Sequence, residues 1–219
     1  MATENTQFMP STLNLSSKVY ADLRLKLIIG DLKPGQTLSI RTLAEAYDHG
    51  SMPVREALRQ LSSEGALVGE AKKAYRVPDL SANEATKLFY VRAALEGASA
   101  EIAAKTVEPK DIKHLRQLST KMDGAWEVNN AGSFLENNFL FHSYIYAMAK
   151  NSVLEKMAEN LYIRTGPWLA KGIQHRLCRP NAWEASHDGI IDALALGDSA
   201  EARRLIEADS GWGKQLYKD

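Results

Sequence analysis

Two histidines and an aspartate stand where a helical chain ordinarily places apolar side chains. His142 shares a helical face with Asn138, Ile145 and Ala149. His187 falls on one face with Ile190, Ile191 and Leu194, and Asp209 follows Ala202, Leu205 and Ile206 in the same way. A buried polar group must find a partner, and a buried carboxylate most of all. Imidazoles and a carboxylate from separate helices could converge on one metal ion. The alternative is a metal-free His–Asp hydrogen-bond network. Arg92 lies beside Leu88, Val91 and Leu95 and points inward on this pattern. On spacing alone it pairs with Glu96 one turn on. Arg164, in Tyr162-Ile163-Arg164-Thr165, has similar standing. Trp126, Trp168, Trp183, Phe139 and Phe141 read as core or pocket wall.

A second constellation lies earlier in the chain. Arg55 and Arg59 sit one helical turn apart, with Ser51 and Ser62 beside them, opposite the apolar Val54, Ala57, Leu58 and Leu61. An arginine on such a face can grip guanine in the major groove or hold a phosphate. The competing reading is a solvated face on which Glu56 offsets one charge. Further on, Lys72, Lys73 and Arg76 form a basic turn.

The elements that must carry these side chains are mostly helical. Val19, Leu23 and Leu27, with Tyr20 and Ile28, mark a first helix, and Asp31-Leu32-Lys33-Pro34-Gly35 breaks the chain after it. Leu43, Ala44 and Tyr47 mark a short second helix. Pro53 sets the first turn of the third, and Gly65 suits its end. Ala66-Leu67-Val68 and Ala74-Tyr75-Arg76-Val77 read as two short strands around the basic turn. Three helices and a basic hairpin make a winged helix-turn-helix over 15–78. Beyond it the pattern is all-helical. Ser81-Ala82-Asn83-Glu84 is a capping box, with the same signature at Ser152–Glu155 and Asp198–Glu201. Glu108-Pro109 marks a helix start and Gly166-Pro167 a break or kink. The expected fold is mainly α: a winged helix-turn-helix, then a bundle of six or seven helices over 79–219.

Composition narrows the classes. The chain has 27 Lys+Arg against 27 Asp+Glu, and the first domain carries only a small basic excess, so charge alone does not decide on nucleic acid. No run of eighteen apolar residues exists, so no membrane span is expected. The stretch from Met1 to Asn14 lacks a basic start and an apolar run, and reads as a polar tail rather than a secretory signal. The one cysteine, Cys178, excludes an intramolecular disulfide and fits a reducing cytoplasm. There is no His-Glu-x-x-His string, glycine-rich phosphate loop or nucleophile elbow, which argues against an enzyme. A metal-dependent enzyme and an architectural DNA-binding protein are the rival classes.

Leu32-Lys33-Pro34-Gly35-Gln36-Thr37-Leu38, Leu43-Ala44, Met52 to Leu61 and Glu64-Gly65 closely resemble the signature of the GntR family of bacterial transcription regulators. The resemblance implies operator contacts from Arg41, Arg55 and the Lys72–Arg76 hairpin. It departs at Gly50-Ser51-Met52, where the family usually has Ser-Arg-Thr. Met52 is a poor N-cap, and Ala74 stands for the wing glycine.

The second domain resembles the C-terminal ligand-binding domain of the FadR subgroup. The strings are Val91 to Glu96, Asn138 to His142, Asn151, Ser186 to Leu194, and Gly197-Asp198. That resemblance implies a divalent metal, zinc or similar, on Asn138, His142, His187 and Asp209. Asn138 replaces the family's aspartate, and Asp209 replaces a histidine. The function so implied is a DNA-binding regulator, a repressor, acting as a homodimer on operator DNA in the cytoplasm. A small organic acid would be its effector, oriented by Arg92 or Arg164.

Overall fold

The structure, a computed structural model, describes residues 14–70, 74–174, 186–211 and 213. Lys72, Lys73, Cys178, Trp183 and all but the last residue of the polar tail lie outside the described residues. Helix α1 (Leu15–Ile28) is capped by Asn14, whose side chain accepts the Ser17 N–H. It buries the Val19–Leu23–Leu27 stripe. Helices α2 (Ile40–Ala46) and α3 (Ser51–Ser63) form the helix-turn-helix, and α3 buries Val54, Ala57, Leu58 and Leu61 against α1. The N-cap of α3 is Gly50, without a side-chain hydrogen bond, so Met52 falls inside the helix and not at its cap.

Two strands were expected and three are present among the described residues. Strands β2 (Val68–Glu70) and β3 (Ala74–Arg76) form the wing hairpin, while β1 (Thr37–Ser39) pairs antiparallel with the other edge of β3. A three-residue strand shows no period in sequence; only its partner reveals it. The glycine at which the wing backbones approach closely is Gly69, where a Cβ would come 2.7 Å from the Ala74 carbonyl oxygen.

Six helices follow among the described residues: α4 (Ala82–Ala103), α5 (Pro109–Glu127), α6 (Ala131–Met148), α7 (Ser152–Gln174), α8 (His187–Ala195) and α9 (Ser199–Gly211). The Ser81–Glu84 capping box is present, and Pro109 opens α5. At α7 the cap is Asn151, whose side chain accepts the Val153 and Leu154 N–H groups, rather than Ser152. Helix α4 lies along α9. Its buried face runs through Ala85, Phe89, Arg92, Glu96, Ala100 and Ala103, while Val91 is exposed. The apolar stripe Leu88–Val91–Leu95 is therefore not the inner face. Arg92 and Glu96 occupy inner positions and satisfy each other, which defeats a pattern read from hydrophobicity. No helix among the described residues is long and apolar enough to cross a membrane.

Gly166-Pro167 does not break the chain. Helix α7 runs through both residues, and Leu161–Ile163 and Thr165–Ala170 are buried. Proline removes one backbone hydrogen bond there, but packing on both sides holds the helix. Gly166 matters more, because it lets α7 approach the end of α1. A Cβ at this position would lie 2.7 Å from the Leu27 carbonyl oxygen and 3.1 Å from the Ile28 Cα. Gly166→Ala is expected to cost about 1–3 kcal/mol through overpacking at this crossing. Gly124→Ala, on α5 with nothing within 4 Å of the added methyl, should not destabilise. Urea unfolding of both variants checks this; equal midpoints for the two would contradict the close-approach role of Gly166.

Candidate functional site

The first candidate surface is the outer face of the helix-turn-helix. A groove of ≈ 620 Å³ between α2 and α3 brings Arg41, Ser51 and Arg55 together, with His49 and Asp48 on its rim. Arg41 is exposed and pairs with Glu45 at 2.9 Å, one turn on, which holds it to the α2 surface. Arg59 continues the exposed face of α3, and Arg76 is exposed on β3 in the wing. Short side chains around two arginines leave a helix that can enter a major groove. His49 was not singled out by sequence; it has no periodic signature because it lies in the turn.

The second candidate site is buried, and five helices build it. Helix α4 supplies Arg92 and Glu96, α6 supplies Asn138, His142 and Tyr146, and α7 supplies Tyr162 and Thr165. His187 is the first residue of α8, fixed by the Ser186 cap that accepts the Gly189 N–H. Helix α9 supplies Asp209 and Ser210. His142, His187 and Asp209 offer ligand atoms that all lie within 4.8 Å of one another, and all three are buried. Asp209 Oδ2 is 3.1 Å from His142 Nε2, and Asp209 Oδ1 is 3.9 Å from His187 Nε2. That Oδ1 is fully buried and has no hydrogen-bond partner among the described residues.

Glu96 completes the surroundings of His142. Its Oε2 lies 2.9 Å from His142 Nδ1 and accepts a hydrogen bond from the Ser210 hydroxyl. Its Oε1 accepts from Arg92 Nε. Neither His142 nitrogen has the alignment of a linear hydrogen bond to its carboxylate, so these are ion-pair contacts. Burial alone would lower the His142 pKa. The Glu96 charge, with Asp209, outweighs it and pushes the imidazole up to about 9. Burial lowers the His187 pKa, which favours the neutral ring. Burial works against the Glu96 charge too, but Arg92 and His142 hold its carboxyl well below the usual range.

The sequence-predicted residues divide as follows. His142, His187 and Asp209 come together, with Asn138 at their edge. Asn138 presents its amide nitrogen to His187 Nε2 at 3.1 Å, and its oxygen accepts the Tyr162 O–H. Arg92 is inward, but its guanidinium is occupied. It pairs with Glu96, donates to Thr165 Oγ1 at 3.3 Å, and lies 4.1 Å over the Tyr162 ring. Arg164 lies elsewhere: its guanidinium sits over Gly65 at the end of α3, and burial lowers its pKa. Phe139 and Phe141 are wall residues, the latter edge-on to His187 at 4.8 Å. Ser210 and Tyr162 were missed, since a serine beside an aspartate and a tyrosine on an apolar face carry no distinctive spacing.

The donor set fits a divalent ion. Two imidazole nitrogens and one carboxylate oxygen at this separation match a tetrahedral site with one position open, and Asp209 Oδ1 is an acceptor lacking a partner among the described residues. If bound there, the ion would be held by His142, His187 and Asp209 and would supply a Lewis-acidic position for an anionic ligand.

Comparison with known proteins gives these two sites their family. Residues 15–77 match the model described as bacterial regulatory proteins, gntR family, and residues 87–209 match the FCD domain model. The chain belongs to the GntR family of bacterial transcription regulators. It carries the FCD domain and is a regulator, not an enzyme. It is 33% identical over 166 residues to the HTH-type transcriptional regulator McbR of Escherichia coli (strain K12), covering 74% of this chain and 75% of McbR. It is 29% identical over 145 residues to the gluconate operon transcriptional repressor of Bacillus subtilis (strain 168), covering 66% of this chain and 59% of that protein. The solved structure of E. coli McbR/YncC superposes with a TM-score of 0.81 at 27% identity. That match covers 94% of this chain and all of the other.

Within this GntR regulator, Asn138 offers a direct test of the metal geometry. Asn138→Asp replaces the amide that faces His187 with a charged oxygen, adding an anionic donor and freeing Nε2. Divalent-ion affinity is expected to rise by about tenfold or more, given the attraction between full charges at this range. Titration calorimetry with Zn²⁺ on both proteins measures it, and an unchanged or weaker affinity would place Asn138 outside the site.

Proposed function

We propose that this regulator binds a pseudo-palindromic operator as a homodimer in the cytoplasm, and that a small organic acid on a divalent metal ion in the FCD domain controls that binding. The observation that carries it is the buried convergence of His142, His187 and Asp209. Zinc or a similar ion suits two imidazoles and a carboxylate. With neutral imidazoles, a divalent ion together with Arg92, Glu96 and Asp209 leaves one positive charge in the cluster. A monocarboxylate on the open metal position would balance it. A relative named for the operon of a sugar acid, gluconate, favours the same ligand class, and its name as a repressor favours repression. Arg92 then acts through Glu96 rather than on the effector. Two-fold operator symmetry matches a dimer with one α3 per half-site, and Arg41, Ser51, Arg55, Arg59 and the wing basic residues would meet the DNA.

A contiguous set of contacts supports transmission between the two sites. Arg24 on α1 pairs with Glu159 on α7 at 2.7 Å, and Glu159 also accepts from Ser143, the neighbour of His142, at 2.7 Å. The Arg24 guanidinium lies 5.2 Å over the Phe139 ring, which meets Tyr162 edge-on. Tyr162 in turn holds Asn138. A shift of α6 on ligand binding would thus be felt by α1, against which the recognition helix packs.

Operator binding of the Zn²⁺-loaded and metal-free protein, each titrated with a panel of carboxylates, tests the proposal. A carboxylate is expected to change operator affinity only in the loaded protein, and operator DNA must then change carboxylate affinity by the same factor. If no carboxylate binds, or if binding ignores the metal, the effector reading fails. Glu159→Gln should leave Zn²⁺ and carboxylate binding within about twofold of wild type, yet cut the coupling factor several-fold, within the 5–150-fold range common for such couplings. The same titrations performed on the variant measure it; full coupling would exclude this route.

A further inference from the structure

An imidazole that gives one nitrogen to a cation carries its proton on the other, and the partner of that proton sets which nitrogen ligates. In this bundle His142 Nε2 faces Asp209 and the His187 ring, while Nδ1 faces Glu96 Oε2 at 2.9 Å. Glu96 has no exposed surface and comes from α4, a helix that contributes no ligand to the cluster. Its placement is over-determined: Arg92 holds one oxygen and Ser210 the other. Arg92 is itself fixed by Thr165 and the Tyr162 ring. Burying a carboxylate and a guanidinium costs several kcal/mol for each ion in general, so such a pair is weak grounds for stability by itself. Its position one atom shell behind His142 gives it another use.

We infer that Glu96, clamped by Arg92 and Ser210, is a positioning residue for the metal site. Its Oε2 stands 2.9 Å from His142 Nδ1, placed to take that nitrogen's proton when the ion occupies Nε2. The inference rests on the metal reading proposed above and extends it to residues that touch no ligand. It assigns Arg92 the role of holding the Glu96 carboxylate aimed at His142. Outer carboxylates of this kind raise the basicity of the ligating ring and fix its orientation.

Co²⁺ titration of the full-length protein, followed by its visible absorption bands, is the test. Glu96→Gln keeps the shape but removes the charge, and leaves Arg92 unpaired. The double variant R92M/E96Q removes both buried charges together and guards against misfolding. Both variants are expected to bind Co²⁺ about 10- to 100-fold more weakly than wild type. Zn²⁺-loaded wild type is expected to show a hydrogen-bonded His142 Nδ1 proton by NMR, and both variants are expected to lack it. Circular dichroism shows whether each variant is folded. A folded variant with wild-type Co²⁺ affinity and bands overturns the positioning role while leaving the metal site standing. Wild-type protein that gives no cobalt bands overturns both. A loaded wild-type protein whose His142 proton sits on Nε2 also overturns the inference.

Discussion

A carboxylate without exposed surface persists in a helical core only while its charge is met on every side, and Glu96 imposes that condition on this bundle. Arg92 comes from its own helix one turn away, Ser210 from α9 and His142 from α6. Asp209 then requires the same histidine from its other side, and Asn138 draws in Tyr162 from α7. Glu96 is thus met by the Arg92 guanidinium and by the His142 imidazole, whose pKa its charge raises. Helices that could slide against one another on apolar contacts alone are thereby given a fixed register.

The same bundle positions the DNA-binding face. Helix α1 is covered on one side by α3 and on the other by α7, which explains why it buries Ile28 as well as its main stripe. Gly166 permits that second contact at backbone distance. Polar contacts reinforce it: Asn160 donates to the Glu64 carbonyl at 2.9 Å, Lys33 to Gln174 at 2.9 Å, and Arg24 pairs with Glu159. The end of α3 thus rests on α7, with Arg164 over Gly65. The recognition surface and the buried cluster are two faces of one packed assembly, joined mainly through α1 and α7.

Much of this was legible in the residues themselves. Helical spacing placed His142, His187 and Asp209 on buried faces, because each is surrounded at three- and four-residue intervals by large apolar side chains. The polar face of α3 and its start near Pro53 were readable for the same reason. Capping chemistry is local, so the Ser81–Glu84 box and the Pro109 start needed no tertiary information. The family strings carried the helix-turn-helix and the FCD domain.

Tertiary structure decided what depends on partners distant in the chain. Arg92 looked inward for the wrong reason, since its apolar neighbours Val91 and Leu95 lie off the buried face. What buries it is Glu96, Thr165 and Tyr162. Whether an arginine meets a ligand or an internal carboxylate cannot be read from spacing, because both placements need the same inward face. Arg164 went to the domain boundary although its local sequence matches a bundle interior. The strand Thr37–Ser39 exists only because β3 offers a free edge. Helix α7 continues through Pro167 because its surroundings, not its own hydrogen bonds, hold it. Local chemistry fixes where a helix begins and which side chains it turns inward, whereas the identity of what they meet is set by packing between segments far apart in the chain, 114 residues for Ser210 and Glu96.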